Sequence, residues 1–188
     1  MERRELLKTI ALLTGGAFIG GELILSGCKS SPKFGGDTFN EEDIRFLDEV
    51  GETILPKTKS PGAKDAAIGQ FMTVMVNDCY DEKEQKIFHK GITELNNACD
   101  KKHNTGFLSA SPEQRTSLLV DLDKEAKEYQ KTKKKDDPTH YFTMMKQLTL
   151  FGFFTSKPGA TMALRHEAVP GKYDGALPYK KGDRAWAE

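Results

Sequence analysis

The chain of 188 residues has no excess charge of either sign: 28 basic side chains face 28 acidic ones. A nucleic-acid binder needs a basic surplus to neutralise phosphates, so a dedicated DNA or RNA partner is excluded as the main reading. Three cysteines are too few for a disulfide-stapled scaffold. No histidine pair stands in an HxxxH or HExxH arrangement, and no CxxC occurs. His89, His103, His140 and His166 are scattered and read as surface or helix-end residues. No GxGxxG follows a strand, which removes a nucleotide or flavin cradle from this chain. Period-two alternation and internal repeats are absent as well. What is left is one modest domain with a real core, 37% of its residues being hydrophobic and 30% charged.

The apolar run from Ile10 to Leu25 is short, contains four glycines and carries Glu22. A membrane span wants about 20 predominantly apolar residues, so this stretch reads as a signal peptide. Arg3 and Arg4, followed by Glu5-Leu6-Leu7-Lys8, resemble a twin-arginine export signal, the type used to carry folded proteins. Leu25-Ser26-Gly27-Cys28 resembles a lipobox. Cleavage after Gly27 would leave Cys28 as a lipidated first residue, with several chains holding it more firmly than one. Residues 29–37 contain Ser, Pro and Gly and read as a tether. The expected division is therefore 1–27 signal, 28–38 tether and 39–188 domain, with a tail from about 167. Residues 1–27 hold three groups of each charge, so the remaining 161 residues stay neutral with 25 of each.

The domain reads as all-α: about five to six short helices and an irregular C-terminal tail. Asn40 can cap a helix opened by Glu41-Glu42-Asp43, with Ile44, Leu47, Val50 and Ile54 on its apolar side and Pro56 ending it. A second helix is expected over about 64–80, its apolar face running from Ile68 to Cys79. A third starts at Asp81 and reaches about Cys99. Ser111-Pro112-Glu113-Gln114 is a capping sequence ahead of Leu118, Leu119, Leu122 and Ala126. After Pro138 comes the most apolar segment of the domain, through Phe142, Met145, Leu148, Phe151 and Phe154. A last short helix is expected from near Pro158 to near His166.

Cys79 and Cys99 lie in helices away from any glycine-rich elbow, and read as structural thiols or a disulfide rather than nucleophiles. Acidic pairs such as Asp121 and Asp123 fall on a polar helix face. No catalytic site is visible. Phe151, Phe153 and Phe154 suit a core, yet they point around the helix in more directions than a small bundle can cover. Some of them are therefore expected to face a partner, together with Arg165, His166 and Tyr173.

The segment Leu148-Thr149-Leu150-Phe151-Gly152-Phe153-Phe154-Thr155-Ser156-Lys157-Pro158-Gly159 and the run Val169-Pro170-Gly171-Lys172-Tyr173-Asp174-Gly175 resemble the C-terminal signature of the gluconate 2-dehydrogenase subunit 3 family. Ile54-Leu55-Pro56, Ser60-Pro61-Gly62-Ala63-Lys64-Asp65-Ala66 and the Ser111 helix start match it upstream. The resemblance implies a non-catalytic small subunit of a membrane-associated dehydrogenase acting on sugars, sugar acids or polyols. It implies a large flavoprotein partner of the glucose–methanol–choline type holding FAD, and in some complexes a cytochrome c subunit with haem. It places the chain outside the cytoplasm, in the periplasm or envelope, and Cys28 would add a membrane anchor. The competing expectations are a stand-alone envelope lipoprotein that binds a ligand or scaffolds other proteins, and a small enzyme with an unrecognised site.

Overall fold

The computed structural model describes residues 34–169 and 171–187. Arg3, Arg4 and Cys28, and with them the signal and lipidation site, lie outside the described residues.

Helix α1 spans Glu41–Ile54. Asn40 accepts the amides of Glu42 and Asp43, and the Asp43 carboxylate returns a bond to the Asn40 amide, so both ends of a capping box are closed. Phe46, Leu47 and Val50 are its buried side. A 3₁₀ turn, Lys64–Ala66, precedes α2 at Ile68–Cys79. One continuous helix was expected here; instead Ala67 sits in the left-handed region at φ 50°, ψ 48°. The kink brings Gly69 against α1, where its amide donates to Asp48 at 2.7 Å. A Cβ on Gly69 would stand 2.3 Å from the Ile44 carbonyl oxygen. The left-handed alanine costs about 1–2 kcal/mol, and the close α1–α2 contact offsets it.

Helix α3, Glu82–His103, is closed by a second capping box between Asp81 and Glu84. It runs one turn past Cys99 because Lys101, Lys102 and His103 suit the negative end of its dipole and Asn104 turns left-handed at φ 55°. Helix α4, Pro112–Thr132, begins on the Ser111–Gln114 capping box and buries Leu118, Leu119, Leu122 and Ala126, as its sequence indicates. Helix α5, Tyr141–Thr155, touches each of the other four helices. A π-helical turn, Gly159–Ala163, takes the place of the last short α-helix. It leads into a two-residue parallel pairing of β1, Arg165–His166, with β2, Trp186–Ala187.

One partly buried cluster ties the α1–α4 junction. Arg115 donates from Nε to the Phe107 carbonyl at 2.9 Å and from Nη2 to that of Leu108 at 2.7 Å, and its Nη1 pairs with Glu49. Glu49 also pairs with Lys64. The guanidinium thereby satisfies the turn at Phe107–Ser109, whose phenyl ring contacts Phe46 at 5.2 Å.

Residues 34–39, expected mostly as tether, pack on the domain. The Phe34 ring lies 4.8 Å from Phe46, and Phe39 stacks on His89 at 4.1 Å. His89 is therefore not a surface histidine: it is 8% exposed and its Nδ1 has no hydrogen-bond partner among the described residues. Burial lowers its pKa below the ordinary 6.5, and the nearby carboxylates of Asp43 and Asp37 only partly counter this.

Two measurements check these packing statements. Gly69→Ala should lower stability by about 1–3 kcal/mol in urea denaturation, although helix propensity alone favours alanine by about 1 kcal/mol. The second concerns His89. Its neutral form is favoured in the folded state, so the unfolded chain takes up its proton first as pH falls below about 6.5. Stability should decline from there until the folded-state pKa is passed, and His89→Phe should flatten that part of the profile.

Candidate docking surface

Helix α5 is apolar around most of its circumference, and its neighbours settle which residues are covered. Phe142, Met144, Met145, Leu148, Thr149, Gly152 and Phe153 are buried. The inward approach is close at two points. A Cβ on Gly152 would stand 2.4 Å from the Phe71 ring of α2, and one on Gly91 of α3 would stand 2.5 Å from Tyr141. With that side filled, Leu150, Phe151 and Phe154 fall on the opposite stripe, about 180–280° around the wheel when Tyr141 is set at zero. Phe151 is 53% exposed and Phe154 40%, whereas Phe153 is 3% exposed. Phe153 is thus a core residue, whereas Phe151 and Phe154 are open to solvent.

The stripe continues onto α2. Phe71 meets Phe151 with ring centroids 5.9 Å apart, and Val74, one turn along α2, is exposed. Phe71 and Val74 escaped the sequence reading because α2 was expected to bury one broad face. The signal was present in the three-residue spacing of Phe71 and Val74, off the Ile68, Met72 and Val76 line that the core uses.

The C-terminal segment closes on itself beside the end of α5. Ser156 ends the helix, its hydroxyl accepting the Gly159 amide at 3.2 Å, and Gly159 packs so tightly on the Phe153 carbonyl that a side chain has no room. Arg184 donates to the carbonyls of Thr161 and Met162 at 3.2 and 2.9 Å. The Arg165 amide donates to Ala185 at 2.8 Å, and its guanidinium lies 4.3 Å from the centre of the Trp186 ring. The expected extended tail is therefore a pinned loop. Tyr173 at its tip is 95% exposed; Leu177 and Tyr179 are exposed as well, and so is His166. Arg165 is engaged by Trp186, which makes it a holder of the loop more than a free contact residue. The loop and Trp186 border a hollow of roughly 700 Å³.

Among the described residues no group of three or more His, Cys, Asp or Glu side chains is placed to hold a metal ion. Asp121 and Asp123 are held below the usual carboxylate range by hydrogen bonds from lysines, Lys102 and Lys124 for the first and Lys127 and Lys146 for the second. They are ion-paired surface groups. Cys79 lies on the core side of the wheel, yet the last turn of α2 leaves it exposed; Cys99 is buried, and both are free thiols. Burial raises the Cys99 thiol pKa, more than Arg115 and Lys102 lower it.

Residues 41–171 match the family model described as Gluconate 2-dehydrogenase subunit 3. The chain belongs to the gluconate 2-dehydrogenase subunit 3 family. No curated protein and no solved structure matches it. The family match opens at the first residue of α1 and closes at Gly171, so it takes in all five helices, the π-helical turn, β1 and the beginning of the pinned loop. The family name makes its members the third subunit of a dehydrogenase, an accessory position.

Thiol chemistry checks the placement of the cysteines. In a Cys28→Ala protein, native labelling should modify Cys79 alone, with Cys99 reacting only after denaturant is added; mass spectrometry of the labelled peptides reads the result.

Proposed function

We propose that this chain is the small subunit that escorts, stabilises and anchors a large FAD-dependent dehydrogenase of the glucose–methanol–choline type, acting on a sugar, sugar acid or polyol. The observation that carries the reading is the stripe of Leu150, Phe151 and Phe154, which the packing of the described helices leaves exposed because they fill the inner side of α5. Exposed aromatics of α5, continued onto α2 by the half-buried Phe71 and the exposed Val74, have the composition of an interface centre. The pinned loop with Tyr173, Leu177 and Tyr179 emerges from the same end of α5 and extends the surface.

The catalytic work, FAD binding included, belongs to the partner, and a cytochrome c subunit with haem takes the electrons onward. A flavoprotein that acquires FAD before export must cross the membrane folded. The Arg3-Arg4 signal on a bound small subunit provides that route. Cleavage before Cys28 and its lipidation then hold the pair at the membrane, outside the cytoplasm.

Affinity capture of the full chain from membranes should recover a larger flavin-containing protein. Replacing Phe151 and Phe154 by alanine should weaken that capture by about 30-fold or more, from at least 2 kcal/mol at an interface centre, with the melting temperature of the small subunit nearly unchanged. Normal export, FAD content and substrate oxidation by the large protein in cells lacking this chain would refute the proposal. For the signal, Arg3→Lys with Arg4→Lys should leave both proteins in the cytoplasm, read by fractionation.

A further inference from the structure

The chain between the lipidation site and the first described residue is very short. Six residues, Cys28 to Lys33, precede Phe34, and fully extended they reach about 20 Å. Helix α3 alone, with 22 residues, is about 33 Å long. A lipid at Cys28 therefore keeps the start of the domain within less than one domain length of the bilayer.

The strap that receives this tether is not a hinge. The Phe34 carbonyl accepts the Thr93 hydroxyl at 2.8 Å, and the Gly35 amide donates to the buried Asp43 at 3.1 Å. Gly35 has φ +69° and lies so close to the His89 carbonyl that a Cβ would stand 2.2 Å from it. With Phe39 stacked on His89, the strap is fixed to α1 and α3 at both of its ends. A pull on residue 33 is thus transmitted to one surface of the domain.

That surface is polar and of mixed sign. A cleft of roughly 440 Å³ is lined by Asp37, Glu82, Lys86, His89, Lys90 and Thr93, with the unpartnered imidazole of His89 in its wall. Lys86, with Lys90 beside its partner Glu94, suits a phosphate, and Asp37 and Glu82 suit an ammonium, which are the two charges of a zwitterionic phospholipid headgroup. Lys29 and Lys33 in the tether add attraction to anionic lipid. The aromatic stripe lies elsewhere. Gly91, between the strap's contacts at His89 and Thr93, packs at the start of α5 on Tyr141. Phe151 and Phe154 stand about 15–20 Å further along that helix.

We propose that the strap Phe34–Phe39 and the first turns of α3 seat on phospholipid headgroups, so that the domain is a spacer between bilayer and dehydrogenase. The inference rests on the lipidation of Cys28. It is tested with the full-length lipidated protein in vesicles of phosphatidylethanolamine with a minor share of phosphatidylglycerol, by hydrogen exchange with and without the vesicles. Amides in residues 35–39 and 81–86 should exchange several-fold more slowly on the vesicles, and those in 150–155 and 171–181 should be unchanged. A flexible Gly/Ser insertion of about 20 residues between Ser31 and Pro32 should abolish the slowing, since it removes the short-tether constraint. Mass spectrometry of the N-terminal peptide separates the two possible failures. An acylated Cys28 with exchange identical on and off vesicles overturns the seating alone. An unmodified Cys28 overturns the anchoring reading and the seating with it.

Discussion

The structure depends on how much of α5 the other helices can cover. This helix is apolar around nearly its whole circumference, but a bundle of four short neighbours closes over one side only. Gly152 and Gly91 let α2 and α3 approach until a single added carbon would collide, so the inner side holds no further volume. Leu150, Phe151 and Phe154 are left outside by geometry, not by a shortage of apolar neighbours. An outward stripe of this kind costs solubility unless something covers it. The family is named as one subunit of a larger enzyme, and another chain of that enzyme is the cover proposed above.

The same packing places the polar residues. Arg115 is a partly buried cation set between helices, and its three contacts join the end of the α3–α4 connection to Glu49 on α1. Removing it would strand the Phe107 and Leu108 carbonyls and leave Glu49 with Lys64 alone. The remaining ion pairs, such as Lys90–Glu94 and Lys131–Glu128, lie on exposed helix faces and contribute little to stability. Charge in this protein is spread in short-range pairs.

Much of the helix content was legible because the capping residues state it directly. Asn40, Asp81 and Ser111 each begin a helix with a carboxylate or amide three residues on, and all three capping boxes form. Periodicity also located the buried stripe of α4. What was not legible depended on contacts between distant segments. Ala67 turns left-handed because Gly69 must reach Asp48, 21 residues earlier, and nothing local in Ala66-Ala67-Ile68 announces it. Residues 34–38 read as tether because of Gly35 and Gly36, yet Thr93 and Asp43 bind their backbone. For the aromatic cluster, composition raised the right question and gave no means of choosing. Phe153 differs from Phe151 and Phe154 only in which side of α5 meets Phe71, Ile68 and the close approach at Gly152.

Long-range electrostatic steering is unavailable to a neutral protein, so association must rest on contact. The domain separates its contact chemistries accordingly. Around the strap the exposed groups are charged and of both signs, suited to a wet surface such as headgroups. Along α5 and α2 they are aromatic and aliphatic, suited to a dry, shape-matched surface on a protein. Because α5 spans the interval between the two and is packed on all four other helices, the separation is built into the core and not into a linker. A change that loosens α5 would therefore disturb the aromatic surface while leaving the strap's own hydrogen bonds to α1 and α3 in place, and the two properties can be lost independently.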